Sequence, residues 1–334
     1  MVAQAIVQQV VQAGKEVTAG TLVAATHVVD HVPGTFQIKR QIKKIRMRHA
    51  GSFAGTHRSE NGQETVEVEY TAYAAFDRLP VYGNLFLSPV TTGSGNPAAT
   101  WTHATINDTD DDLSSYSFEV GGTDHPSPQT VAGLRGKSWE IDIKQDAPWE
   151  MKVGLVGMLT TVGATITPAL SLPSNSHGGG APLRSALGTQ TKVYIDDTTI
   201  GSTVIAGTVV SANVKIEVGN EPRHTLDGIA TPYRIALAKE RNVSATVVME
   251  YAAQTEYTAW AANTVRKVRI EATGATLGAS NYKATLNIYG TWDELDLGED
   301  NGVRTMQLTL MGQKDSAAGS EITATFINSV TALP

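Results

Sequence analysis

The stretch Thr65-Val66-Glu67-Val68-Glu69-Tyr70 decides the fold class. β-Branched and acidic side chains alternate along it, the period-two pattern of a strand with one face in a core and one in water. Val214-Lys215-Ile216-Glu217-Val218 alternates in the same way and stops at Gly219-Asn220, a turn pair. Strand patterns recur outward from these two, at 192–195, 243–251, 265–271, 282–289, 306–311 and 321–327. Parallel units would need long amphipathic helices between the strands, and the sequence offers none. The expected fold class is therefore all-β with short helices.

The helical signals are few. Residues 252–263 (AAQTEYTAWAAN) are rich in Ala, with Tyr257 and Trp260 three apart. A weaker helix is expected over 72–79. Ile6, Val10 and Ala13 have helical spacing, so 2–13 reads as a short helix or as an arm that orders on assembly. Ile38, Ile42 and Ile45 are also spaced for a helix. β-Branched residues dominate 36–48, however, and it is read as a strand with a basic exposed face.

Composition narrows the function. The chain has 334 residues, no cysteine and a formal net charge of −7 from 26 basic and 33 acidic residues. Without cysteine there is no disulfide framework, thiol catalysis or iron–sulfur cluster. The longest apolar run, 151–172, is broken by Lys152, several glycines and Pro168, short of the roughly 20 residues a membrane helix needs. No classical signal peptide is visible at the N-terminus. Charge is spread over both halves, so neither half is a basic nucleic-acid module.

Two loop-rich regions stand out. Residues 91–115 are polar and end in acid; a loop this long is usually functional. Residues 166–190 hold Pro168, Pro173, Gly178 to Gly180 and Pro182, and read as a linker. The halves on either side share an order. Val66-Glu67-Val68-Glu69-Tyr70 and Val247-Val248-Met249-Glu250-Tyr251 each precede an Ala/Tyr-rich stretch. The acidic segments Trp139-Glu140-Ile141-Asp142 and Trp292-Asp293-Glu294-Leu295-Asp296 follow, each leading to a strand that ends at a glycine, Gly157 or Gly312. Each half also opens on a strand, near Lys44 and near Lys215. An internal duplication is expected, with an arm at 1–35, a β-domain at 36–165, the linker at 166–190 and a second β-domain at 191–334.

No catalytic constellation is present. Gly-x-Ser-x-Gly, His-Glu-x-x-His, the Gly-x-x-x-x-Gly-Lys loop and Gly-x-Gly-x-x-Gly are all absent. His27 and His31 would share a helix face, yet their stretch is Val-rich and stops at Pro33, which favours a solvated arm over a metal site. Asp108 to Asp112 resembles the start of a calcium loop, but Leu113 stands where such a loop needs glycine. No cofactor or metal is expected. Lys39, Arg40, Lys43, Lys44, Arg46 and Arg48 form the densest charge run, with no interleaved aromatics for base stacking. The five tryptophans are scattered, and each defaults to core or interface.

The segment Glu16-Val17-Thr18-Ala19-Gly20-Thr21-Leu22-Val23-Ala24-Ala25-Thr26 resembles the E-x-T-x-G-T-x-x-A-A-T opening of tail tube (major tail) proteins of long-tailed, non-contractile bacteriophages. The remainder is similar to them in texture. The resemblance implies a β-sandwich with a flanking helix, whose rings stack into a hollow tube for DNA. It implies no enzyme activity, and a place in the phage tail after assembly in a bacterial cytoplasm. The implied partners are further copies of the chain, a tape measure protein, a tail terminator, and distal tail or baseplate proteins. Double-stranded DNA would pass without specific binding, and the chain would not insert in a membrane itself. Two tube folds per chain would make a trimer a pseudo-sixfold ring, with a hexamer as runner-up. The candidate inter-subunit contacts are Glu16, Thr18, Thr21, Lys43, Lys44, Arg46, Trp101, Asp110, Asp111 and Asp112. The rival readings are another tail component, such as a terminator or baseplate protein, and a carbohydrate-binding β-sandwich.

Overall fold

The structure is a computed structural model and describes residues 10–47, 58–90, 92–95, 97–105, 113–121, 127–167 and 184–333. The first half of the chain contains β1 (Val10–Lys15), β2 (His27–Val28), β3 (Gln37–Met47), β4 (Arg58–Tyr73), α1 (Leu79–Phe86), β5 (Ala99–Ala104), β6 (Tyr116–Gly121), β7 (Gln129–Lys144), β8 (Glu150–Gly157) and β9 (Leu159–Val162). The second contains β10 (Thr191–Asp196), β11 (Val209–Glu217), β12 (Asn220–Arg223), β13 (Arg234–Leu237), β14 (Asn242–Glu250), α2 (Thr255–Ala261), β15 (Val265–Leu277), β16 (Ser280–Asp300), β17 (Val303–Gly312) and β18 (Ile322–Asn328).

The alternation in β4 buries Val66, Val68, Tyr70 and Ala72 and turns Glu67 and Glu69 outward. β8, β7 and β11 match it with Met151, Val153 and Leu155, then Trp139 and Ile141, then Val214 and Ile216. A period-two pattern with one buried face fixes register, since a one-residue slip would turn every apolar side chain to water. The strands run antiparallel in the order β3-β4-β8-β7-β11-β14-β17-β16.

That order recurs within the chain. β3-β4-β8-β7 is repeated as β11-β14-β17-β16, and the seam is the β7–β11 pair. The long strands β7 and β16 behave alike. Gln129 to Leu134 of β7 leave the main sheet to pair with β6 and β9. Lys283 to Ile288 of β16 likewise pair with β15 and β18. β1 flanks β6 as β10 flanks β15. Each long strand carries a bulge at the same point: between Gly136 and Ser138 opposite β8, and between Trp292 and Glu294 opposite β17. A bulge inserts one unpaired residue and sharpens the twist, so it is a register mark.

Each unit covers the same strand with its helix. α1 packs on β7, with Tyr82 and Phe86 stacked on Trp139 at ring separations of 5.8 and 5.6 Å. α2 packs on β16, where Trp260 Nε1 donates to the Asp293 carbonyl at 3.2 Å. Pro80 sits in the first turn of α1, where its missing N–H costs nothing.

Several expectations are corrected. Residues 72 and 73 end β4 and the helix starts only at Leu79, because β8 pairs with the strand as far as Tyr73. Residues 10–13 are strand, not helix: β1 pairs with β6 from Val10 to Lys15 and buries Val11 and Ala13 completely. This part of the expected arm is a sheet strand. Within 91–115, residues 99–104 form β5 against β18. At the end of the expected linker, Ala186 is fully buried, donates to the Ala74 carbonyl and accepts from Trp149 N–H, both at 2.8 Å. The tryptophan segments also shift, for the bulges align Trp139 with Leu295 and Gly136 with Trp292. Among the described residues, no helix is long and apolar enough to cross a membrane, and no group of three His, Asp or Glu is placed to hold a metal ion.

Candidate assembly surfaces

The seam between the units shows how two sheet edges of this chain join. Seven residue pairs cross it, from Ser211↔Lys144 to Glu217↔Ser138. On the inner face Ile216 meets Trp139 and Val214 meets Ile141, all buried. On the outer face Lys215 lies opposite Glu140. The Asn213 amide donates to Glu140 at 3.0 Å and to Asp142 at 2.5 Å. Lys152 Nζ reaches both carboxylates as well, at 3.2 and 2.8 Å. Burial works to raise the Asp142 pKa, but the hydrogen bonds from Lys152 and Asn213 outweigh it and hold that carboxyl below its usual range. The seam thus joins an apolar layer to a charged one.

Two edges of the repeated sheet remain open among the described residues. β3 pairs with β4 alone, and β16 beyond Trp292 pairs with β17 alone. Exposed edges invite another strand. Here they differ in sign. β3 carries Lys39, Arg40, Lys43, Lys44 and Arg46, whereas the end of β16 carries Asp293, Glu294, Asp296, Glu299 and Asp300. These are the strands at the two ends of the repeat.

The outward face of the eight-stranded sheet is acidic. Glu67, Glu69, Glu140, Asp142, Glu217, Glu250, Glu294 and Asp296 alternate outward, against Lys39, Lys144, Lys152 and Lys215. Most of the cations are already engaged. Lys39 is held by Glu69, Lys152 by Glu140 and Asp142, and Lys215 by Glu217 at 2.6 Å. Lys137, the bulge residue, is held by Glu67 at 2.6 Å. Such a face offers a polyanion little to grip.

The candidate contact residues fall into three groups. Lys43, Lys44 and Arg46 are exposed on β3. Thr18 and Thr21 are exposed in the turn after β1, where Thr21 N–H closes on the Thr18 carbonyl at 3.0 Å. The third group turns inward. Glu16 is buried, and its carboxylate accepts from Gly20 N–H at 2.8 Å, Ser117 Oγ at 2.6 Å and Gly133 N–H at 2.7 Å. It ties the turn to β6 and β7 and touches no outer surface. Trp101 is fully buried, donating Nε1 to the Val330 carbonyl at 2.9 Å and to Asn328 Oδ1 at 3.2 Å. Within the single chain both side chains are buried and act as internal braces. Asp110, Asp111 and Asp112 lie outside the described residues. Sequence reasoning missed the acidic end of β16 as an edge, although Asp293 to Asp300 carries an unmatched run of acid.

A family model described as phage tail tube protein matches residues 7–326. No curated protein matches the chain. The match spans nearly the whole sequence, so the chain belongs to the phage tail tube family and is a structural component of the virion tail.

Proposed function

We propose that this phage tail tube protein assembles with copies of itself into rings, which stack into the hollow tail tube through which DNA is ejected. The observation that carries the reading is the twice-written four-stranded sheet, joined at β7–β11 and left open at β3 and β16. A subunit with unlike open edges makes heterologous contacts, and these close into rings when the rotation permits. Two units per chain favour a trimer with pseudo-sixfold symmetry over a hexamer. The acidic outward sheet face suits a bore that lets DNA slide without sticking.

In this reading the tail is of the non-contractile type. The tube surrounds a tape measure protein and ends on a tail terminator and on distal tail or baseplate proteins. The exposed turn at Thr18 and Thr21 is available for contacts between rings, and Asp110 to Asp112 are assigned the same role from sequence alone. Negative-stain electron microscopy of the purified chain tests the proposal. Stacked rings with three-fold or pseudo-sixfold projections are expected; a protein that stays monomeric at high concentration would sink it.

A further inference from the structure

The two open edges are the two halves of the internal seam. The equivalence follows pair by pair. After the bulges, Ser138 faces Gly154 in one unit and Glu294 faces Thr309 in the other. Gly154 faces Glu69, and Thr309 faces Thr246. Glu69 in turn faces Gln37, and Thr246 faces Asn213. Gln37 is therefore the counterpart of Asn213, and Lys39 of Lys215. On the other strand Asp296 is the counterpart of Glu140, and Leu297 of Ile141.

We infer that the acidic end of β16 pairs antiparallel with β3 of a second copy of this chain, in the register of the β7–β11 seam. Lys39 then lies opposite Asp296, as Lys215 lies opposite Glu140. Ile38 lies opposite Leu297, as Val214 lies opposite Ile141. The inference rests on the proposed tube and fixes its lateral contact to the residue.

Three observations converge on this occupant. The charges are complementary: Lys39 falls opposite Asp296, and the rest of the basic strand lies next to the acidic end. The apolar positions match as well: Leu297 is 60% exposed in the single chain, and the register covers it with Ile38, which already packs against the core. The polar face also repeats, since the Gln37 amide takes the place from which Asn213 reaches Glu140. A strand of another protein would have to reproduce all three; a second copy does so by construction.

The chain lacks cysteine, so single-cysteine variants report on this contact without background. Lys39→Cys and Asp296→Cys chains, full length, are mixed and mildly oxidised, as are Ile38→Cys and Leu297→Cys chains. Directly opposed residues come within disulfide reach. The control is Lys39→Cys with Asp300→Cys, a four-residue slip of about 13 Å along the strand. The expected result is a covalent dimer from at least one in-register mixture and, given that offset, at least about tenfold less from the control. In parallel, Lys39→Glu or Asp296→Lys weakens assembly and the double swap restores it.

Electron microscopy of the same samples separates the two readings. Tubes without in-register dimer overturn the register and leave the tube standing. In-register dimer without tubes keeps the joint and overturns the tube. Neither tubes nor dimer overturns both.

Discussion

The Glu16 carboxylate accepts the backbone N–H of Gly133 at 2.7 Å across 117 residues of sequence. The same oxygen takes the Ser117 hydroxyl, and its partner oxygen takes Gly20 N–H. One side chain thereby pins the β1–β2 turn to two strands. Glu16→Ala removes all three bonds and strands buried donors, at a cost of about 3 kcal/mol. Thr18→Ala and Thr21→Ala, on the exposed side of the turn, stay within about 0.5 kcal/mol. Urea denaturation of the dissociated chain measures all three, and an Glu16→Ala chain as stable as the parent would remove the brace.

Trp101 gives a second contrast between core and interface. Trp101→Phe loses the bonds to Val330 and Asn328 and part of a fully buried ring. The expected loss is about 2 kcal/mol of monomer stability, with tube formation retained under conditions where the chain is folded. An unchanged thermal transition with failed assembly would place Trp101 at a contact instead.

His103 ties acid sensitivity to the core. Burial holds this imidazole below its ordinary range, although its bond at 2.8 Å to the Ser88 carbonyl works the other way. Nε2 is buried without a hydrogen-bond partner. Because the folded pKa lies below the unfolded value, the unfolded chain binds the proton more readily. Stability is therefore complete above about pH 6.5 and falls as pH drops below it toward the folded value. His103→Leu should flatten this part of the curve of melting temperature between about pH 7.5 and 5. A parallel decline in both proteins would assign the acid sensitivity elsewhere.

Lys43, Lys44 and Arg46 are exposed, so converting them to glutamate should leave the thermal transition of the single chain in place. Assembly should drop instead, because these residues continue β3 just past the stretch opposite Asp293 to Asp300, and acid there would repel that end of β16 from alongside. Sedimentation measures the assembled fraction and calorimetry the fold. If short duplex DNA binds the parent and not the triple variant, the cluster serves nucleic acid.

Much of the fold was legible because one face of the sheet is buried and the other wet. That asymmetry writes the alternation of β4, β11, β14 and β17 into the sequence. It writes nothing for β6 or the first part of β7, where both faces pack and alternation vanishes: every residue from Tyr116 to Gly121 is buried. The order of the recurring elements was visible, whereas their register was not. Trp139 and Trp292 look like counterparts, but Trp139 lies two residues after its bulge at Lys137 and Trp292 one residue before its bulge at Asp293. The strand at Val10–Lys15 was hidden for another reason. Its helical spacing is local, while the β6 partner that overrides it lies about a hundred residues away. The basic β3 edge was read as an interface from its charge alone. The burial of Glu16 and Trp101 was not legible, because a motif residue and a braced core residue have no separate signature in sequence.

In the proposed ring, the covalent link between the two units would change the kinetics of assembly. Every β7–β11 seam closes inside one molecule, at an effective concentration set by the chain rather than by the number of subunits in the cell. In a closed ring of such chains, every second joint is finished when the protein folds. Fewer independent collisions are then needed to reach a closed nucleus, and the reaction order of nucleation falls accordingly. In that proposed assembly, such a subunit would polymerise at lower abundance and leave fewer incomplete rings than its single-unit equivalent.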